Sequence, residues 1–157
     1  MINIITGNIN SGKTGYLKDL YEKDPKGDGI LSLKHYEDEC FVGYDILHLK
    51  SGEKQAFIRL KTKTPKNWNE KYKVGKYSFS YDGFDLAEKV LRNIELGPIY
   101  IDEIGPLEIL EKKGFYGRLK NFIDKDIDLF LTVRSTLLDT LHDKLALSGK
   151  TKTITLK

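Results

Sequence analysis

The segment from Gly7 to Thr14 constrains this 157-residue chain more than any other part of its sequence. Its residues are Gly-Asn-Ile-Asn-Ser-Gly-Lys-Thr, which fit the pattern G-x-x-x-x-G-K-[ST]. An apolar run, Ile2 to Ile5, precedes the segment, and a helix-like pattern follows from Lys13 to Glu22. A strand, a glycine-containing loop and a helix in this order form the context that the motif requires. The sequence therefore predicts a phosphate-binding loop.

The residue types of this loop suit a nucleoside triphosphate and its metal ion. Glycines let backbone N–H groups wrap around phosphates, and the N-terminus of the following helix favours negative charge. We expect Lys13 to reach the β- and γ-phosphates and to act in catalysis, and the Thr14 hydroxyl to ligate Mg²⁺. The predicted nucleotide-binding residues are Gly7, Asn8, Ile9, Asn10, Ser11, Gly12, Lys13, Thr14 and Gly15.

A second segment supplies two carboxylates. The short apolar run Ile99 to Ile101 ends in Asp102 and Glu103. Phosphate-loop proteins hold Mg²⁺ with an acidic residue at the end of a buried strand, so Asp102 is the candidate metal ligand. Glu103 follows directly, where a glutamate can orient or deprotonate an attacking water. Together with the loop, the pair predicts hydrolysis of the triphosphate.

Apolar strands alternate with helical segments along the chain, which indicates a largely parallel sheet with both faces covered. Phe41 to Leu49 and Gln55 to Leu60 predict an antiparallel hairpin. The lysine-rich segment 61–75 predicts an irregular, mobile excursion. Further helices are predicted over 84–96, 115–123 and 137–147, and strands over 77–81, 128–133 and 151–156. We expect one α/β domain over 1–157, a P-loop NTPase with a mostly parallel central sheet, flanking helices and an inserted antiparallel β-hairpin.

The run Asp-Glu-Ile-Gly-Pro-Leu-Glu, from Asp102 to Glu108, resembles the signature of the THEP1-type nucleoside-triphosphatase family, the cancer-related NTPase homologues. The segments 43–46 and 74–77 are also similar to that family. The resemblance implies a RecA-like sheet and slow, Mg²⁺-dependent hydrolysis of several nucleoside triphosphates. It further implies an active-site role for Glu108 and a nucleotide-binding role for Arg59. By position alone, Glu108 is a first-turn acid favoured by a helix dipole, and the active-site role is the alternative that the resemblance adds.

Arg134 is a further catalytic candidate. It follows the predicted strand 128–133, and ligands bind at the carboxyl ends of strands in open α/β sheets. There it would contact the γ-phosphate as an arginine supplied by the same chain. The three histidines show no metal-ligand spacing, and the sequence indicates no Ser-His-Asp grouping.

Broad base tolerance is expected, because recognition is confined to the phosphates and the guanine-reading Asn-Lys-x-Asp pattern is absent from the sequence. Two alternatives stay open at this point. One is a nucleoside or small-molecule kinase, in which the segment 61–76 would cover a phosphoryl acceptor. The other is a nucleotide-binding module whose basic hairpin docks a protein partner or RNA.

Composition bears on partners and location. The segment 50–76 contains nine basic residues against two acidic ones, in a chain of net charge +3. Such a stretch attracts phosphates, but no nucleic-acid motif accompanies it, so nucleic acid is not favoured. No apolar run approaches the roughly 20 residues of a membrane span, and no signal-peptide pattern is visible. With a single cysteine, Cys40, we expect a cytoplasmic protein, monomeric and without membrane contact.

Overall fold

The computed structural model describes residues 1–147 and 151–157, and within them strands and helices alternate. The strands are β1 (Ile2–Gly7), β2 (Asp28–Glu37), β3 (Cys40–His48), β4 (Lys54–Leu60), β5 (Glu70–Val74), β6 (Tyr77–Ser80), β7 (Ile99–Ile104), β8 (Leu129–Arg134) and β9 (Thr151–Leu156). The helices are α1 (Lys13–Lys23), α2 (Tyr81–Arg92), α3 (Pro106–Ile109), α4 (Tyr116–Asp124) and α5 (Leu138–Lys144), with 3-10 turns at Lys61–Lys63 and Ser135–Leu137.

One half of the sheet is parallel and positions the predicted loop. In the sheet order β5-β6-β4-β3-β2-β7-β8-β1-β9, the pairs from β2 to β9 are all parallel. The carboxyl ends of these strands therefore meet at one edge, where Gly7 pairs with Arg134. Strand β8 lies between β1, which leads into the loop, and β7, which carries Asp102. Both predicted nucleotide motifs consequently reach the same edge.

The other half of the sheet is antiparallel. Strands β3, β4, β6 and β5 extend it beyond β2, each antiparallel to its neighbours. The expected α/β class, with a central sheet and flanking helices, is confirmed. The antiparallel portion is larger than the expected hairpin, because β5 and β6 add a second one.

The prediction of an irregular excursion over 61–75 is wrong for its second part, which forms β5. Exposed Lys71 and Lys73 alternate there with half-buried Glu70, Tyr72 and Val74. This is the two-residue period of a half-buried strand, but the lysines obscure it in the sequence. The strand is fixed by pairing with β6, and Trp68 donates its indole N–H to Ser78 Oγ at 2.8 Å.

Helices cover both faces of the sheet. Adjacent residues of β1 show this: Ile5 packs in a cluster with Leu17 of α1, whereas Ile4 packs in the larger cluster that includes Phe84 and Leu91 of α2. Ser80 caps α2 by accepting the Gly83 N–H at 3.0 Å. The helix ends at Arg92, four residues before the predicted 84–96 limit. Within the described ranges, no helix combines the length and apolarity that crossing a bilayer requires.

Candidate functional site

The loop between β1 and α1 has the backbone that its glycines predict. Gly12 adopts φ 89°, directly before α1, and a side chain in this left-handed region would be strained. At Gly7, an added Cβ would lie 2.4 Å from Ser11 Oγ. The Ser11 N–H donates to the Asn8 carbonyl at 3.1 Å, which closes a tight turn. Lys13 Nζ lies across this turn, 2.8 Å from the Asn8 carbonyl oxygen and 3.4 Å from that of Gly7.

Asp102 joins the loop to the two neighbouring strands. Its buried carboxylate accepts hydrogen bonds from Thr14 Oγ1 at 2.7 Å, the Ser32 N–H at 3.0 Å and Thr132 Oγ1 at 2.5 Å. Burial raises the pKa of Asp102, while these hydrogen bonds and the charge of Lys13 oppose the rise. The structure thus brings together Thr14 and Asp102, the two residues predicted from separate motifs as metal ligands.

The donor set around Thr14 and Asp102 fits Mg²⁺. A hydroxyl and a carboxylate are hard oxygen donors, and Mg²⁺ is commonly bound by one or two carboxylates, waters and substrate phosphates. Within residues 1–147 and 151–157, no group of three or more His, Cys, Asp or Glu side chains offers an all-protein metal cage. A site completed by phosphate oxygens therefore suits this chain better than a cage.

Glu103 occupies an irregularity in the pairing of β7 with β8. The register shifts between Ile101 and Ile104, and Glu103 adopts φ 61°. Its N–H donates to Thr132 Oγ1 at 2.7 Å, and the same hydroxyl donates to Asp102. Successive side chains of a regular strand point to opposite faces, but a bulge can redirect one of them. Glu103 is thereby turned into the cavity beside the loop.

The electrostatic surroundings of Glu103 suit proton transfer. Desolvation within the site and the charge of Asp102 raise the pKa of Glu103 to about 7, while Lys13, Arg134 and Lys34 oppose the rise. The side chain nevertheless keeps contact with the solvent of the cavity. A carboxylate with a pKa near neutrality is matched to general-base catalysis at physiological pH.

The loop and Glu103 line one cavity of about 790 Å³. Its polar end carries the ammonium groups of Lys13 and Lys34 and the guanidinium of Arg134. Its other end, called here the apolar chamber, is lined mainly by Tyr44, Phe57, Val74, Tyr77, Phe79 and Phe115, and Lys76 lines it beside Tyr77. The chamber belongs to the antiparallel half of the sheet and to the residue preceding α4.

Arg134 lies where the sequence places it, at the end of β8 opposite Gly7 and on the cavity wall. The next residue, Ser135, donates to Asn8 Oδ1 at 3.1 Å and so connects this edge to the loop. Lys34 was missed by sequence reasoning. It lies on β2 and donates a hydrogen bond to Asn10 Oδ1, which brings a third cation to the polar end.

Ser32 and Thr132 were also missed, although the sequence carries a signal for both. Each is a single hydroxyl residue within an apolar strand, and each is buried in the structure. Thr132 hydrogen-bonds Asp102 and Glu103, and the backbone of Ser32 hydrogen-bonds Asp102. A buried hydroxyl needs a partner, and that of Thr132 has two, whereas the buried hydroxyl of Ser32 has none among the residues that the structure describes and Ser32 contributes its backbone N–H alone.

Glu108 lines the cavity but is buried, and its two carboxylate oxygens are occupied. Oε1 accepts the Gly105 N–H and Oε2 accepts the Phe115 N–H, both at 3.1 Å. Burial raises the pKa of Glu108 to about 7, opposed by these backbone hydrogen bonds. The contacts favour a structural role for Glu108, joining the start of α3 to the start of α4.

Arg59, expected to bind nucleotide, is not among the residues that line the cavity. Its buried guanidinium donates to Asp45 Oδ1 at 2.8 Å and to the carbonyls of Tyr44 and Ile58 at 3.0 and 2.9 Å. It also lies 5.9 Å from the ring centre of Trp68. The Arg59 guanidinium therefore links β3 to β4 and does not face the cavity.

The structure does contain a Ser-His-Asp grouping, which the sequence did not indicate. His48 Nε2 lies 2.5 Å from Asp28 Oδ2, and His48 Nδ1 lies 2.7 Å from Ser51 Oγ. Ser51 Oγ also accepts the Glu53 N–H at 3.1 Å, within the turn between β3 and β4. None of these residues lines the cavity, and Asp28 begins β2 at the opposite edge of the sheet. The grouping stabilises a turn.

Comparison with known proteins agrees with this geometry. The family described as NTPase matches residues 3–157. No curated protein sequence matches the chain significantly. Two solved structures share the fold: THEP1 from the hyperthermophile Aquifex aeolicus, with a TM-score of 0.72 and 25% identity, and a human cancer-related nucleoside triphosphatase, with 0.68 and 16%. Each alignment covers 100% of this chain, and 90% and 89% of the respective neighbour.

Proposed function

Because the chain belongs to the NTPase family (THEP1-like), we propose that it hydrolyses nucleoside triphosphates to diphosphate and phosphate in an Mg²⁺-dependent reaction. Nucleoside triphosphatase activity in general is supported by the family and by the human neighbour, which is itself a nucleoside triphosphatase. The observation that carries the finer proposal is the 2.7 Å hydrogen bond between Thr14 and Asp102, with Glu103 beside it. It unites the loop and the carboxylate pair in one site.

Each residue of the site has a proposed task. Backbone N–H groups of the loop and Lys13 bind the triphosphate and hold the γ-phosphoryl group toward the cavity. Glu103 orients a water and accepts its proton as the water oxygen bonds to the γ-phosphorus, while the bond from that phosphorus to the β–γ bridging oxygen breaks and the diphosphate leaves with the electron pair. Arg134 and Lys34 offset negative charge on the phosphoryl oxygens.

Magnesium would be held by the Thr14 hydroxyl and the Asp102 carboxylate. When bound, Mg²⁺ would supply positive charge beside the phosphates, which would lower the cost of negative charge developing on them. Asp102 keeps its orientation through Ser32 and Thr132, and such supporting hydrogen bonds are a regular feature of metal sites.

Broad base tolerance is part of the proposal. The loop and Lys13 act on phosphates that all four triphosphates share, whereas strong discrimination needs buried polar groups matched to one base edge. We expect kcat/KM values for ATP, GTP, CTP and UTP within about tenfold of one another, equivalent to about 1.4 kcal/mol. A preference of about 10³-fold or more for one base would contradict this part.

Phosphate release by the purified protein, without any acceptor, tests the proposal. We expect turnover of each triphosphate with Mg²⁺ and none after chelation by EDTA, restored by added MgCl₂. Diphosphate formation only when an acceptor is present would favour a kinase. Tight nucleotide binding with negligible turnover would favour a binding module and would exclude hydrolysis as the function.

A further inference from the structure

We propose that the apolar chamber binds a nucleoside, whose sugar hydroxyl can take the place of water and accept the γ-phosphoryl group of the bound triphosphate. The inference rests on the proposed function, because it uses the same triphosphate site and the same Glu103. It adds a second substrate and a second outcome, the formation of a nucleoside monophosphate.

The position of the chamber is the first argument. In the sheet order, the chamber strands β3, β4 and β6 lie beyond β2, on the far side of β2 from the loop strand β1. Ser32 of β2 hydrogen-bonds Asp102, and Lys34 of β2 hydrogen-bonds Asn10. The cavity thus passes from the loop, along β2 and Glu103, into the chamber. An occupant of the chamber would face the terminal phosphoryl group.

The loop motif indicates where the other end of the nucleotide lies. In this motif the loop N–H groups hold the α- and β-phosphates and the lysine reaches the β- and γ-phosphates. The chain continues from Thr14 to Gly15, where a side chain would meet no heavy atom within 4 Å. In this proposal the sugar and base of the triphosphate lie on this side of the loop, and the chamber is left to the second substrate.

The chamber walls are mainly aromatic, with the Lys76 ammonium 5.6 Å from the centre of the Tyr77 ring. Phe57 and Phe79 have ring centres 5.6 Å apart, and Tyr44 and Tyr77 have theirs 6.4 Å apart. Tyr44, Tyr77 and Phe79 are only partly buried, so their rings keep accessible surface. Aromatic side chains bind bases by stacking, at about 1–3 kcal/mol per base. A nucleoside joins such a ring to hydroxyl groups, which a phosphoryl acceptor requires.

Two buried charged residues outside the triphosphate site hold the walls in place. Arg59 donates to the Tyr44 carbonyl, and Glu108 accepts the Phe115 N–H. Both side chains hydrogen-bond the backbone of chamber residues and hold it in place, which indicates a preformed site. Burial and the charge of Glu103 raise the pKa of Tyr44, so the chamber wall and Glu103 are electrostatic neighbours.

The reaction balances with the two substrates alone. The nucleoside oxygen forms a bond to the γ-phosphorus, and the bond from that phosphorus to the β–γ bridging oxygen breaks. The diphosphate leaves with the electron pair of the broken bond. The hydroxyl proton passes to the Glu103 carboxylate. The products are a nucleoside monophosphate and a nucleoside diphosphate.

Binding and transfer are measured separately. Adenosine, guanosine, cytidine and uridine are titrated by calorimetry into full-length protein saturated with Mg²⁺ and the non-hydrolysable analogue AMP-PNP. We expect at least one nucleoside to bind this complex. With ATP in place of the analogue, that nucleoside should yield its monophosphate in an amount equal to the extra ADP formed above basal hydrolysis.

Variants locate the second substrate. Phe79→Ala should raise the Kd of the nucleoside about tenfold or more while changing the Kd of AMP-PNP less than about twofold. Tyr36→Ala removes an exposed aromatic ring outside the cavity and should change neither Kd. Should Phe79→Ala not fold, Val74→Trp tests the same point by filling the chamber from the end of β5.

Several results would overturn the inference. These are no binding of any of the four nucleosides, competition between nucleoside and AMP-PNP, equal weakening of both ligands by Phe79→Ala, or binding without monophosphate formation. Basal phosphate release separates this failure from that of the proposed function. Phosphate release without phosphorylation of any nucleoside would support the proposed hydrolysis and exclude the second substrate. Nucleoside monophosphate formation without basal phosphate release would support phosphoryl transfer and exclude hydrolysis.

Discussion

Asp102, Glu103 and Glu108 belong to one short segment, yet each carboxylate has different partners. Asp102 is buried among two hydroxyl groups and a backbone N–H. Glu103 faces the cavity, and Glu108 binds two backbone N–H groups. At the residue scale, we therefore expect Asp102 to bind the metal, Glu103 to transfer the proton and Glu108 to stabilise the structure.

Glu103→Gln should lower kcat by about 10² or more, the scale associated with losing a positioned general base. The amide keeps the size of the side chain but cannot accept the proton of the water. Affinity for the Mg²⁺-nucleotide should change little. Steady-state phosphate release and titration with AMP-PNP measure the two effects.

Glu111→Gln is the matched control for Glu103→Gln, because Glu111 is exposed and pairs only loosely with Lys113 at 3.7 Å. It should hydrolyse at the wild-type rate. Full kcat in Glu103→Gln would remove Glu103 from catalysis and require a different base.

Arg134→Ala should lower kcat by about tenfold or more, and more than it weakens nucleotide binding. The reason is that its guanidinium lies on the cavity wall where charge develops during transfer, and losing one such donor commonly costs 10²–10³ in buried sites. Arg92→Ala, at the exposed end of α2, is the control. An unchanged kcat in folded Arg134→Ala would show that Arg134 has no catalytic role.

At the element scale, the catalytic arrangement depends on the irregular pairing of β7 with β8. The sequence predicts the strand, its acidic end and the candidates Asp102 and Glu103, because an apolar run followed by two acids is a local pattern. It does not predict the bulge, because the bulge depends on Thr132 of a strand about 30 residues away. Strand β5 was missed for a related reason, since it depends on pairing with β6 and on packing of Tyr72 and Val74 against the core.

Glu108 makes the junction of α3 and α4 sensitive to pH. Its pKa is about 7 in the folded chain against an ordinary value of 4.5. The folded state therefore binds its proton more tightly, and the stability associated with Glu108 is present below pH 4.5 and lost as pH rises through 7. A shift of this size corresponds to about 3 kcal/mol.

Urea unfolding of wild type and Glu108→Gln at pH 5 and pH 8 measures this effect. We expect the free energy of unfolding of wild type to fall more between the two pH values than that of the variant, by up to about 3 kcal/mol. Other titrating groups cancel in this difference. Glu111→Gln should follow wild type. Identical pH dependence in Glu108→Gln would show that the carboxyl titrates normally.

At the scale of the whole molecule, the two halves of the sheet contribute different parts of the site. Its parallel half brings the loop, Asp102 and Arg134 to one edge, and its antiparallel half closes the cavity with aromatic side chains. The sequence predicts the first half well, because the loop motif and buried strands are local and specific. It could not predict the chamber, since Tyr44, Phe57, Phe79 and Phe115 are far apart in sequence and become neighbours only through strand pairing.

The central claim is that the loop following β1 is the site of triphosphate hydrolysis. Lys13→Ala removes the ammonium group expected to reach the transferred phosphoryl group. Lys18→Ala, on the exposed side of the same helix, is the matched control. Phosphate release from Mg²⁺-ATP by wild type and the two variants tests the claim most directly. We expect wild-type turnover in Lys18→Ala and none detectable in folded Lys13→Ala, whereas wild-type turnover in Lys13→Ala would contradict the assignment.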